Sequence, residues 1–224
     1  MEWADNLHRI VVMAVPLMFA ITLHEAAHAY AAYALGDPTA RSQGRVSLDP
    51  LRHIDLVGTL LLPGMLLLTG TPFVIGWAKP VPVDLRQFKN PRRDMALVAL
   101  AGPASNVFQA LIAAILMHFV IGSDSMVSKW AFDILRSTIM LNCVLAAFNM
   151  LPLPPLDGSR LVLWALPSAL VPPFVRLEKY GMLILLGLVV APALIGSQIN
   201  PLWSVLRPLV NGLVQFVVIV TGLV

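Results

Sequence analysis

Residues 21–37 read ITLHEAAHAYAAYALGD, and two histidines and a glutamate stand there in an otherwise apolar, alanine-rich run. Traced back from Gly36-Asp37-Pro38, that run reaches to about residue 9, long enough to cross a bilayer as a helix. Ionisable groups at such depth are costly and mark function. His24 and His28 are four residues apart, so on a helix they share a face and both imidazoles can reach one ion. Neutral imidazole suits zinc, and Glu25, next to the first ligand, is placed to act as a base toward water. The same HExxH pattern also arises by chance in soluble helices. In a membrane span the chance reading weakens, because three such groups in one turn need an ion or polar partners.

The rest of the chain agrees with a membrane setting. Of 224 residues, 58% are hydrophobic and 12% charged, and mean hydropathy is +0.81; a soluble domain is about a quarter charged. The expected fold is all-α and polytopic, with about five to six transmembrane helices in a single membrane domain covering 1–224. Apolar spans are expected at about 9–35, 95–121, 131–151, 181–197 and 203–224, with a mixed amphipathic stretch at 159–180. The length leaves no room for a soluble accessory domain. Glu2, Asp5 and the lack of a small-residue cleavage site argue against a removed signal peptide. A net charge of +3 spread over loops makes no continuous basic patch, so nucleic acid is excluded as a partner. The one cysteine, Cys143, leaves no disulfide framework.

The stretch 54–76 is apolar but broken by Gly58, Pro63-Gly64 and Gly70. It lies between two basic loops, one with Arg41, Arg45 and Arg52, the other with Lys79, Arg86, Lys89, Arg92 and Arg93. A full crossing would export one of them against the positive-inside tendency. A re-entrant or extended hairpin keeps both in the cytosol, and it also settles where a third metal ligand can come from. The remaining histidines, His8, His53 and His118, fall at span ends or in loops, where solvated side chains are the simpler account. The acidic candidate is Asp157 in FNMLPLPPLDGSR, 148–160, where three prolines stop a helix and Gly158 allows a sharp turn. A common Pro-Asp-Gly type turn explains that aspartate equally well. With a hairpin at 54–76, however, Asp157 emerges on the histidine side; with a full crossing it would lie about 30 Å of hydrocarbon away.

HEAAH in the first span, AGPASN in the second and FNMLPLPPLDG after the third resemble the site-2 protease (M50) family of intramembrane zinc metalloproteases. GDPTARSQGRVSLDP, HID and GWAKPVPV are similar to its compact prokaryotic branch, which lacks PDZ and CBS domains. The resemblance covers roughly residues 8–190, with the motif-bearing core at about 8–160 and additional spans at about 181–224. It implies one Zn2+ per chain held by His24, His28 and Asp157, with Glu25 as the catalytic base. It also implies substrate or oxyanion roles for Asn149 and Asn106, with Asn142 as a competitor, although interhelical hydrogen bonds explain such asparagines as well. Gly102, Ala104 and Ser105 suit close helix packing. Lys79-Pro80-Val81-Pro82-Val83 is either an extended edge for strand addition or an interfacial loop. Trp77, Trp130, Trp164 and Trp203 suit interfacial anchoring.

The implied function is hydrolysis of a peptide bond in or beside a transmembrane segment of a protein or peptide substrate. The expected location is a prokaryotic inner membrane, in contact with lipid, with the site nearer the cytosol. A proteolytically inactive substrate-binding relative and a membrane metal-ion transporter are the alternatives. The transporter needs acidic or histidine positions on several spans, and one cluster is found; the inactive relative would not need Glu25.

Overall fold

A computed structural model describes residues 2–61, 65, 76–194 and 200–223. Among them helix is the only regular structure: α1 Glu2–Ala34, α2 Pro91–Met117, α3 Met126–Asn149, α4 Gly158–Ala165, α5 Val171–Leu194 and α6 Pro201–Thr221. α2 and α3 start earlier than hydropathy predicts because polar caps add a turn. At α2, Pro91 occupies the first turn, where a missing N–H is harmless, and Asp94 accepts the Asn90 N–H at 2.9 Å. At α3, Ser125 accepts the Ser128 N–H, so charged Lys129, Asp133 and Arg136 lie inside the helix.

Side-chain pairs fix the helix directions. His8 of α1 meets Asp133 near the start of α3, whereas His24 meets Asp157, just beyond the end of α3. α1 and α3 are therefore parallel, and α2 runs between them in the opposite sense, its Asn106 touching both Ala20 and Asn142. All three pack on one another. Ala110, Ala113 and Ala114 of α2 lie against Cys143 and Ala147 of α3 and Val210 of α6; small side chains let helices approach in a lipid environment, where van der Waals contact drives association.

The chain between α1 and α2 leaves and returns on one face. Ala32 near the end of α1 packs with Phe88 and with Val98, in the second turn of α2, and buried Asp37 accepts the Asp84 N–H at 2.8 Å. This is the parity that the hairpin expectation requires, although most of the 54–76 segment itself lies outside the described residues. Around it, a π-helical turn spans Leu56–Leu61, and the Trp77 indole sits where a Gly58 side chain would be.

Four helices are long and apolar enough to cross a membrane: Leu7–Ala34, Pro91–Met117, Met126–Asn149 and Pro201–Thr221. The expected five to six are not reached among the described residues. The span expected at about 181–197 belongs to α5, whose earlier turns carry Arg176, Glu178 and Lys179. α5 follows α4, which the side chain of Arg92 at the start of α2 holds by the carbonyls of Leu163, Trp164 and Leu166. α6 ends where His118 meets the Thr221 carbonyl, at the far end of α2, so α6 starts on the near face, as α5 does.

Candidate metal centre

The three predicted ligands converge. His24 Nε2 and His28 Nε2 lie 3.0 Å apart, and Asp157 Oδ2 is 3.3 Å from each. The two histidines are buried, about 15 Å and 9 Å from the last residue of α1 along its axis. Asp157 arrives from the turn after α3, in which Leu156 N–H bonds Leu153 and Ser159 N–H bonds Leu156. Gly158 makes that turn possible: a Cβ there would lie 2.3 Å from the Met150 carbonyl oxygen and 2.4 Å from that of Leu151.

Proton accounting shows what this triangle needs. His28 Nδ1 lies 2.7 Å from the Val98 carbonyl, which can only accept, so Nδ1 carries the proton. His24 Nδ1 lies 2.6 Å from Asn106 Oδ1 and likewise donates. In the neutral imidazoles both Nε2 atoms are then bare lone pairs. Together with Asp157 Oδ2, a buried oxygen with no hydrogen-bond partner, they make three acceptors facing one another with no proton among them. A cation fits there. For tetrahedral zinc with bonds of about 2.0–2.1 Å, ligand atoms are about 3.3 Å apart, close to the separations seen. Three protein ligands leave a fourth position open, as catalytic zinc sites do.

Glu25 is half-buried beside His24. On the loop side, Arg45 is 4% exposed and donates to the carbonyls of Lys79 and Pro80 at 2.5 and 3.2 Å. Burial pulls its guanidinium below the ordinary value, and the charge of Glu25 opposes this; the two residues are thus electrostatic neighbours. His53, expected to be solvated, is buried between Arg45 Nη2 and the Ser47 carbonyl, because the loop folds back over it. Among the described residues the Lys79–Val83 segment forms no strand pairing; Arg45 and the bond from Lys79 N–H to the His53 carbonyl hold it.

The asparagines separate. Asn106 stands behind His24 and is wholly buried, as is its partner Asn142; Asn149 Nδ2 donates to the Leu145 carbonyl of its own helix at 3.1 Å. Sequence alone assigns Arg45 and Asn142 no definite place, because the partners that place them, Lys79 and Pro80 for Arg45 and Asn106 for Asn142, lie 34 to 36 residues away.

Comparison with known proteins points the same way. The model for peptidase family M50 matches residues 118–192. A Bacillus subtilis protein provisionally named zinc metalloprotease YwhC is 42% identical over 212 residues, 87% of this chain and 85% of the relative. A provisionally named zinc metalloprotease Rip2 of Mycolicibacterium smegmatis is 31% identical over 193 residues, 83% of this chain and 68% of the relative. MJ0611 of Methanocaldococcus jannaschii, also provisionally named a zinc metalloprotease, is 40% identical over 67 residues, 30% of this chain and 32% of the relative. No solved structure matches.

Proposed function

The chain belongs to peptidase family M50, and from that premise we propose that it is an intramembrane zinc metalloprotease. It would cleave a peptide bond within or next to a transmembrane segment of a protein substrate. The observation that supports this reading is the triangle of His24 Nε2, His28 Nε2 and Asp157 Oδ2, three buried acceptors 3.0–3.3 Å apart with no proton among them. These residues would hold one zinc ion, which when bound polarises the scissile carbonyl and brings the pKa of a water toward about 7.

The remaining chemistry falls to the chain. Glu25 takes a proton from the attacking water as its oxygen bonds to the carbonyl carbon. It then delivers that proton to the amine nitrogen as the C–N bond breaks. His24 and His28 keep their Nδ1 protons throughout, so their Nε2 lone pairs stay directed at the site. A helical substrate hides its carbonyls in hydrogen bonds and must unwind locally before any reaches Glu25, so helix-breaking residues near the cut should govern selection. The exposed cations Arg41, Arg52, Lys79, Arg86 and Lys89 lie in the connection between α1 and α2, and Arg93 in the first turn of α2, all on the ligand side of the bundle, and the positive-inside tendency supports a cytosolic orientation for that face.

The test is cleavage of a membrane-protein substrate by the purified, zinc-loaded chain, compared with Glu25→Gln. Cleavage by the first and not by the second supports the reading. Equal cleavage by both contradicts it.

A further inference from the structure

Two buried asparagines between the helices carry more directional information than packing requires. Asn142 Nδ2 donates to the Thr138 carbonyl at 2.9 Å, and Asn106 Nδ2 donates to the Ala20 carbonyl at 3.2 Å and to Asn142 Oδ1 at 2.8 Å. Both residues are 0% exposed. A backbone carbonyl accepts and never donates. Thr138 therefore sets which end of the Asn142 amide is nitrogen, leaving Oδ1 toward Asn106. Asn142 Oδ1 and the Ala20 carbonyl together turn the Asn106 amide, leaving its oxygen toward His24 Nδ1 at 2.6 Å.

The consequence reaches the metal centre. A flipped Asn106 would press its oxygen against the Ala20 carbonyl and Asn142 Oδ1 and offer an N–H to His24. His24 would then have to accept at Nδ1 and carry its proton on Nε2, pointing into the ligand triangle. We infer that Asn142 is a positioning residue: acting through Asn106, it fixes the Nδ1–H form of His24 and so keeps Nε2 available to a metal. The inference rests on the zinc reading above. An interhelical bond serving packing alone would be satisfied by either polarity; this chain of bonds is satisfied by one.

The test uses the full-length chain in detergent or nanodiscs, with zinc affinity read by competition with a chelator. Asn142→Leu removes the acceptor for Asn106 and should weaken zinc binding about 10-fold, the low end of what outer hydrogen-bond partners contribute. In Asn142→Asp, a carboxylate oxygen still accepts from Asn106 Nδ2 and keeps that amide turned the same way, so affinity should stay near wild type. Alongside, ¹⁵N NMR of histidine-labelled, metal-free protein at about pH 9, well above ordinary imidazole titration, should show His24 protonated at Nδ1 in the wild type and the Asp variant. An Nε2–H population should appear in the Leu variant. Wild-type zinc affinity and an unchanged His24 signal in Asn142→Leu would overturn the proposal. If that variant does not fold, the wild type decides: Nδ1–H supports the relay and Nε2–H overturns it. Neither readout involves cleavage, so a chain that cuts nothing leaves this test intact and refutes only the protease reading.

Discussion

Gly102 and His28 are in direct contact across the interface of α1 and α2: a Cβ on Gly102 would lie 2.3 Å from His28 Nε2 and 2.6 Å from His24 Cε1. The second helix passes so near the HExxH face that only a hydrogen atom fits between its backbone and the imidazoles. The glycine predicted to allow close helix approach also shapes the ligand triangle.

Gly102→Ala should therefore impair the site more than the fold. Alanine is the better helix former by about 1 kcal/mol, so secondary structure should not suffer, while the added methyl must push the imidazoles aside. A displacement of about 1 Å can lower turnover about 100-fold. Zinc content and cleavage rate, measured beside a melting curve, check this; wild-type values for both would refute the contact.

Glu25→Gln should keep zinc and lose turnover. The side chain is not one of the three converging ligands, and removing a general base typically costs about 10²–10⁴-fold in rate. Zinc per polypeptide and single-turnover cleavage read the two effects separately.

Arg45→Met should loosen the 76–84 segment. The guanidinium bonds two carbonyls of that segment, and a lost buried hydrogen bond costs about 1–3 kcal/mol. Hydrogen exchange at residues 77–83 should rise in the variant. Arg45→Lys, a single ammonium without the planar fork, should be intermediate. Unchanged exchange in Arg45→Met would mean that other contacts hold the segment.

Zinc removal should destabilise the chain, since the metal-free triangle sets three acceptors face to face. At a free zinc concentration 100 times Kd, the bound ion adds about 2.7 kcal/mol, so the melting temperature in detergent should climb with added zinc. In Asp157→Ala that climb should shrink. A melting temperature indifferent to zinc would contradict the site.

The parts legible in the sequence were those in which short spacing determines geometry. His24 and His28 share a helical face because they are four apart, and Gly158 marks the turn that aims Asp157. Charge in the flanking loops gave the parity that brings α1 and α3 to the same face, now seen in the two end-to-end pairs His8–Asp133 and His24–Asp157. What could not be read depends on distant partners. The 106–142 pair joins two helices across 36 residues, and a lone asparagine in a span looks the same whether it orients a ligand or merely packs. His53 looked solvated because nothing local shows that Arg45 and the 76–84 segment close over it.

The central claim is a three-ligand zinc site built from one helix and a distant turn, and metal stoichiometry tests it without any substrate. Wild type and Asp157→Ala, purified in detergent, should differ sharply: close to one zinc per polypeptide in the first, much less in the second. Equal zinc in both would remove Asp157 from the site, and no zinc in either would contradict the metalloprotease account.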